Sequence, residues 1–101
     1  MDWNSMSGVA IIAEIGKRIK DNRLRKNLTQ TDLATRAGVN ALTIAKVEQG
    51  KPLSLVTLIA ILRALRLLDN IESLVPEAQI SPIEMLKFKG ETRKRASKPK
   101  K

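Results

Sequence analysis

The sequence predicts an all-α protein of five short helices, followed by a short extra C-terminal helix and a basic tail. Three observations carry this reading. Apolar residues recur at helical spacing in one segment after another; Ser, Thr, Asn or Asp stands before each such segment after the first; and no stretch alternates apolar and polar residues as a half-buried strand would. At 101 residues, 43% of them hydrophobic, the chain suffices for one small core and leaves a second folded domain without material.

Residues 1–8, MDWNSMSG, show no periodicity and read as a flexible N-terminus, with Trp3, the only tryptophan, as the side chain able to dock. The first helix is expected over Val9–Lys26, where Ile12, Ile15 and Ile19 share a face. Thr29 then caps a second helix, with Asp32 three residues on completing a capping box with the shorter acid. Leu33, Ala34 and Ala37 face inward until Gly38 stops it. Asn40 caps a third helix, anchored by Ile44 and Val47 and ended by Gly50 and Pro52.

Ser54 caps a fourth helix whose stripe reads as Leu55, Leu58, Ile59, Leu62 and Leu65, with Val56 and Ile61 off that stripe. A fifth, short helix is expected in LLDNIESLV, with Asp69 as its cap and Pro76 as its end, closing a domain at 9–76. Ser81, Pro82 and Glu84 of SPIEMLKF form a full capping-box signature, so the extra helix belongs to an extension at 77–90. The remainder, 91–101, reads as a disordered basic tail.

Composition narrows the chemistry. The chain has no cysteine and no histidine, which removes disulfides, thiol nucleophiles, the usual zinc ligands and the commonest general base. No convergent carboxylate motif replaces them, so the expectation is a protein that is not an enzyme and uses neither cofactor nor metal. No signal-peptide pattern and no long apolar run is present, and the sequence reads as cytoplasmic, with no membrane partner. The net charge is +9; the tail from Glu91 to Lys101 holds six Lys/Arg against one acid, leaving residues 1–90 with thirteen basic and nine acidic residues, a net of +4. Such a balance suits a polyanion, nucleic acid first and an acidic membrane surface second.

The second and third helices are each too short to be stable alone and are separated only by GVN. Gly38 sits where the chain must turn sharply, Ala34 permits close approach, and Val39 and Ile44 fill the angle between the helices. That order specifies a helix-turn-helix, whose last helix need only span a DNA major groove. Arg23 and Glu48 each sit on or beside an inward stripe, and partly buried charges need partners. An Arg23–Glu48 ion pair is the economical reading, the alternative being that both side chains reach out to solvent.

The stretches TQTDLATRAGV and TIAKVEQGKP resemble the Xre/Cro, lambda-repressor-like DNA-binding domains over roughly Ile15–Val75. The resemblance implies that Thr29 and Gln30 anchor a phosphate and that Gln49 and Lys51 contact the DNA backbone. It assigns base reading to Asn40, Ala41, Leu42, Thr43 and Lys46, and implies attachment to the nucleoid through DNA. Ala41 and Leu42 depart from the commoner polar pattern, since apolar side chains can only touch thymine methyl groups. Specificity then rests partly on DNA shape, or this surface binds a protein instead.

One recognition helix reads too few bases to be selective, so a homodimer on double-stranded operator DNA is expected. Leu67, Leu68, Ile71, Leu74 and Val75 are its candidate interface, unless segment 81–88 folds back over them; either way they should be buried. The C-terminal extension is similar to that of HipB-like antitoxins, which accompany HipA-like kinase toxins. That likeness implies a self-repressing operon and a HipA-like toxin as partner. A stand-alone regulator of phage or restriction-modification-controller type remains open, as does a protein-interaction module.

Overall fold

The computed structural model describes residues 1–78. The helix expected in 81–88 and the basic tail 91–101 lie outside the described residues. Among those described there are five α-helices and no strand: α1 (Gly8–Arg25), α2 (Gln30–Ala37), α3 (Ala41–Glu48), α4 (Leu55–Ala64) and α5 (Ile71–Leu74).

The four longer helices begin in the same way. Ser7, Thr29, Asn40 and Ser54 each take extended backbone angles, and each side-chain oxygen accepts the amide N–H three residues on, at 3.1, 2.9, 2.9 and 3.1 Å. Thr29 also donates its own backbone N–H to Asp32 Oδ2 at 2.9 Å, completing the capping box.

They also end alike. Asn27, Gly38, Gly50 and Arg66 take left-handed angles, with φ of 57, 74, 87 and 62°. The next residue in each case returns its N–H to a carbonyl five positions back: Leu28 to Arg23, Val39 to Ala34, Lys51 to Lys46 and Leu67 to Leu62. This Schellman geometry satisfies carbonyls that the helix end would otherwise leave open.

Residues 1–70 form one compact unit. Its core joins Ile19, Leu28, Leu33, Ala34, Ile44, Val47, Ile61 and Leu65, so every one of α1–α4 or its closing turn supplies a buried side chain. Each of the Ile, Leu and Val side chains among them contributes roughly 1.5–3 kcal/mol by leaving water. Within residues 1–8, Trp3–Ser5 forms a 3-10 turn that sets Trp3 beneath the Arg18 guanidinium, 4.9 Å from the ring centroid, while Glu14 holds Arg18 at 2.8 Å.

Two local expectations are corrected. Ile61, read as lying off the main stripe of α4, is fully buried, while Leu55, read as on it, is 63% exposed. The helix is apolar on nearly every side, so periodicity could not fix its rotation; packing on α2 turns Leu58, Ile61 and Leu65 inward. Further on, Leu68–Asn70 is a 3-10 turn running directly into α5, in place of an α-helix capped by Asp69. In the segment from Ile71 onward, Leu74 and Val75 are exposed in the single chain.

Candidate nucleic-acid interface

The turn between α2 and α3 starts from Gly38. A left-handed φ of 74° is available there because glycine has no β-carbon to clash with the following carbonyl. Val39 then packs against the core, Asn40 caps α3, and the two helices meet over Leu33, Ala34 and Ile44. The outer edge of α3 is left facing solvent.

Along that edge Asn40, Leu42 and Lys46 are exposed and Thr43 is half-buried. Asn40 Oδ1 receives both the backbone N–H and the hydroxyl of Thr43, at 2.9 and 3.1 Å, so these two side chains are already tied to each other. Lys46 makes no ion pair among the described residues. Leu42 is 61% exposed, an apolar side chain standing on an otherwise polar edge. Ala41, grouped by sequence with the base-facing residues, is half-buried and packs against the core.

Behind this edge α3 is held at two points. At the first, α1 approaches so closely that a β-carbon on Gly16 would overlap the carbonyl oxygen of Val47, and one on Gly50 would sit 3.3 Å from Ala13. The second is ionic: Arg23 Nε and Nη2 donate to the two carboxylate oxygens of Glu48 at 2.7 and 3.0 Å, and Arg23 Nη1 donates to the Leu28 carbonyl at 2.7 Å. The two side chains are 8 and 3% exposed. The bond to Glu48, with the attraction between the charges, holds the Arg23 guanidinium above its ordinary pKa although burial pulls the other way. Among the described residues no buried side-chain nitrogen or oxygen lacks a partner.

Thr29 and Gln30 stand together at the start of α2. The Thr29 hydroxyl oxygen accepts the Asp32 backbone N–H at 2.9 Å within the capping box. Gln30 turns its amide toward Glu48, with Nε2 donating to Oε1 at 3.1 Å. Asp32 completes the turn, its carboxyl held below the usual carboxylate range chiefly by the Thr29 backbone N–H, with the Thr29 hydroxyl and Arg36 adding to the effect. Gln49 and Lys51 lie exposed just past the end of α3.

Of the residues named for an interface between copies, Leu67 packs on the core of its own unit and Leu68 is half-buried; Ile71 is half-buried and Leu74 and Val75 are exposed in the segment that follows. Two features escape a reading of sequence. Gly16 carried one signal, a glycine inside an otherwise regular helical pattern, where it costs about 1 kcal/mol relative to alanine unless packing needs it. The Gln30–Glu48 bond joins residues on different helices and leaves no local trace.

Among the described residues no helix is long and apolar enough to cross a membrane, and no cluster of side chains is arranged to hold a metal ion. Comparison with curated proteins gives no match. A family model described as helix-turn-helix matches residues 19–68, from the middle of α1 to the turn after α4. Residues 19–68 of this chain are therefore a helix-turn-helix domain of the Xre, lambda-repressor-like kind, the fold of DNA-binding transcription regulators.

Proposed function

We propose that this protein is a sequence-specific repressor that lays α3 in the major groove of an operator and binds as a homodimer. The observation that carries the reading is the contrast between the two sides of α3. Its inner side is fixed by the Gly16–Val47 contact and the Arg23–Glu48 pair, while Asn40, Leu42 and Lys46 stand outward with no competing ion pair on Lys46 among the described residues. A rigid helix with an open polar edge is what base recognition needs, because each reader must be placed before DNA arrives.

In this reading Lys46 donates to guanine, Asn40 and Thr43 supply polar contacts, and Leu42 meets a thymine methyl. Thr29, Gln30, Gln49 and Lys51 hold the phosphates on either side. Dimerisation is supported by the arithmetic of half-sites and by the exposure of Leu74 and Val75, with Leu68 and Ile71 beside them in sequence. Leu67 contributes less, being engaged with its own core. The HipB-like antitoxin role, with a HipA-like kinase toxin as partner, rests on the helix-turn-helix positions taken together with the resemblance of the C-terminal extension; an adjacent kinase-like gene and co-purification of its product would support it.

The deciding experiment is a fluorescence-anisotropy titration on the protein's own upstream DNA and on a scrambled duplex at two salt concentrations, with Lys46→Ala alongside. Site-selective binding is expected, weakened in the variant by about 1–3 kcal/mol at the preferred site. Equal, weak and salt-sensitive binding to both duplexes would instead favour a protein-interaction surface centred on Leu42, whose 61% exposure suits such a contact.

A further inference from the structure

We propose that Glu48 is a positioning residue for phosphate binding, acting through the side-chain amide of Gln30; the inference rests on the reading of α2 and α3 as a DNA-binding pair. A glutamine amide has two faces of opposite character, an oxygen that accepts and an NH2 that donates, and a free amide presents either one. An ionised carboxylate can only accept. By taking Gln30 Nε2 at 3.1 Å, Glu48 Oε1 therefore decides which way round the amide sits. Nε2 keeps a second N–H, and a DNA phosphate is also an acceptor only, so one NH2 group bridges the buried carboxylate and the phosphate.

The arrangement also solves a charge problem. A bare carboxylate close to a phosphate site would repel the ligand. Here Arg23 neutralises Glu48 through two bonds, leaving the carboxylate enough accepting capacity for Gln30. The ion pair thus has a consequence beyond joining α1 to α3: it sets the donor presented at the first residue of α2, where the exposed Thr29 hydroxyl lies alongside. A glutamine without that acceptor would present its oxygen to the phosphate part of the time.

The test is a double-mutant cycle on the full chain. The probe is the best-bound duplex that the native protein selects from a randomised library. Gln30→Met is measured in the native background and in Arg23→Met/Glu48→Met, where the pair is replaced by apolar side chains of similar length. The expected result is a loss of about tenfold in affinity in the native background and less than about twofold in the double variant. Equal losses in both would overturn the role of Glu48 while leaving the DNA-binding reading intact. A native protein that selects no duplex would overturn the reading itself. If the double variant does not fold, the side-chain amide protons of Gln30, followed by nitrogen-15 NMR in the native protein, decide the matter. One slowly exchanging proton in the free protein and two in the complex support the proposal; free exchange of both protons in both states refutes it.

Discussion

Gly16 on α1 lies against the carbonyl of Val47 on α3 with no room for a β-carbon between them. Helix α3 is therefore seated on bare backbone, and its distance from α1 is set by the absence of a side chain. Alanine at this position would gain about 1 kcal/mol in helix propensity, yet would force the two helices apart. We expect Gly16→Ala to lower stability by about 1–3 kcal/mol net in urea denaturation. An unchanged or raised midpoint would mean that α1 yields freely and does not fix α3.

The Arg23–Glu48 pair is expected to behave asymmetrically. Removing either partner alone, as Arg23→Met or Glu48→Met, leaves the other charge buried without its counterpart and should cost about 3–5 kcal/mol. Removing both should cost far less, and the double variant should unfold within about 2 kcal/mol of the native protein. Strict additivity of the two single losses in thermal or urea melts would contradict this picture.

The rotation of α4 gives a third test. Ile61→Ala opens a cavity in a fully buried position and should cost about 2–5 kcal/mol. Leu55→Ala removes a side chain that is mostly in water and should fall within about 0.5 kcal/mol of the native protein. The reverse order would restore the stripe expected from sequence.

Asp32 links stability to pH. Its carboxyl is held below the usual range in the folded protein, so its contribution is present above the unfolded-state value, about 3.9, and is lost as pH falls through the lower folded-state value. Asp32→Ala should therefore melt at a lower temperature than the native protein at neutral pH. The gap between the two melting temperatures should narrow below about pH 4 and close in stronger acid. A gap that persists unchanged in acid would assign the effect of the substitution to something other than the ionised carboxylate.

What sequence could and could not reveal follows from where each determinant lies. Thr29, Asp32 and Gly38 delimit α2, and Asn40 caps α3, through bonds that span a few residues, so a local pattern carries them in full. Arg23 and Glu48 could be matched because burying one charge requires another nearby. The rotation of α4 could not be read, since Thr57 and Arg63 alone interrupt an apolar surface and only contact with α2 selects the inner face. Ala41 was assigned to the outer edge of α3, yet it sits half-buried where that helix starts, a detail of packing that residue type does not encode. The turn of Gln30 toward Glu48 depends on two helices already being docked.

The four left-handed corners have a consequence for how the chain reaches this structure. Each closes on a backbone bond between residues five positions apart, so a corner needs no distant partner in order to form. Loops of this size close in well under a microsecond and helices of this length relax on a similar scale. The slow part of the search is then confined to docking α1 and α4 onto the α2–α3 pair. A topology so rich in short-range contacts belongs with the rapid folders, completing that docking in microseconds to milliseconds. Fast refolding restores the outward edge of α3 almost as soon as it is lost.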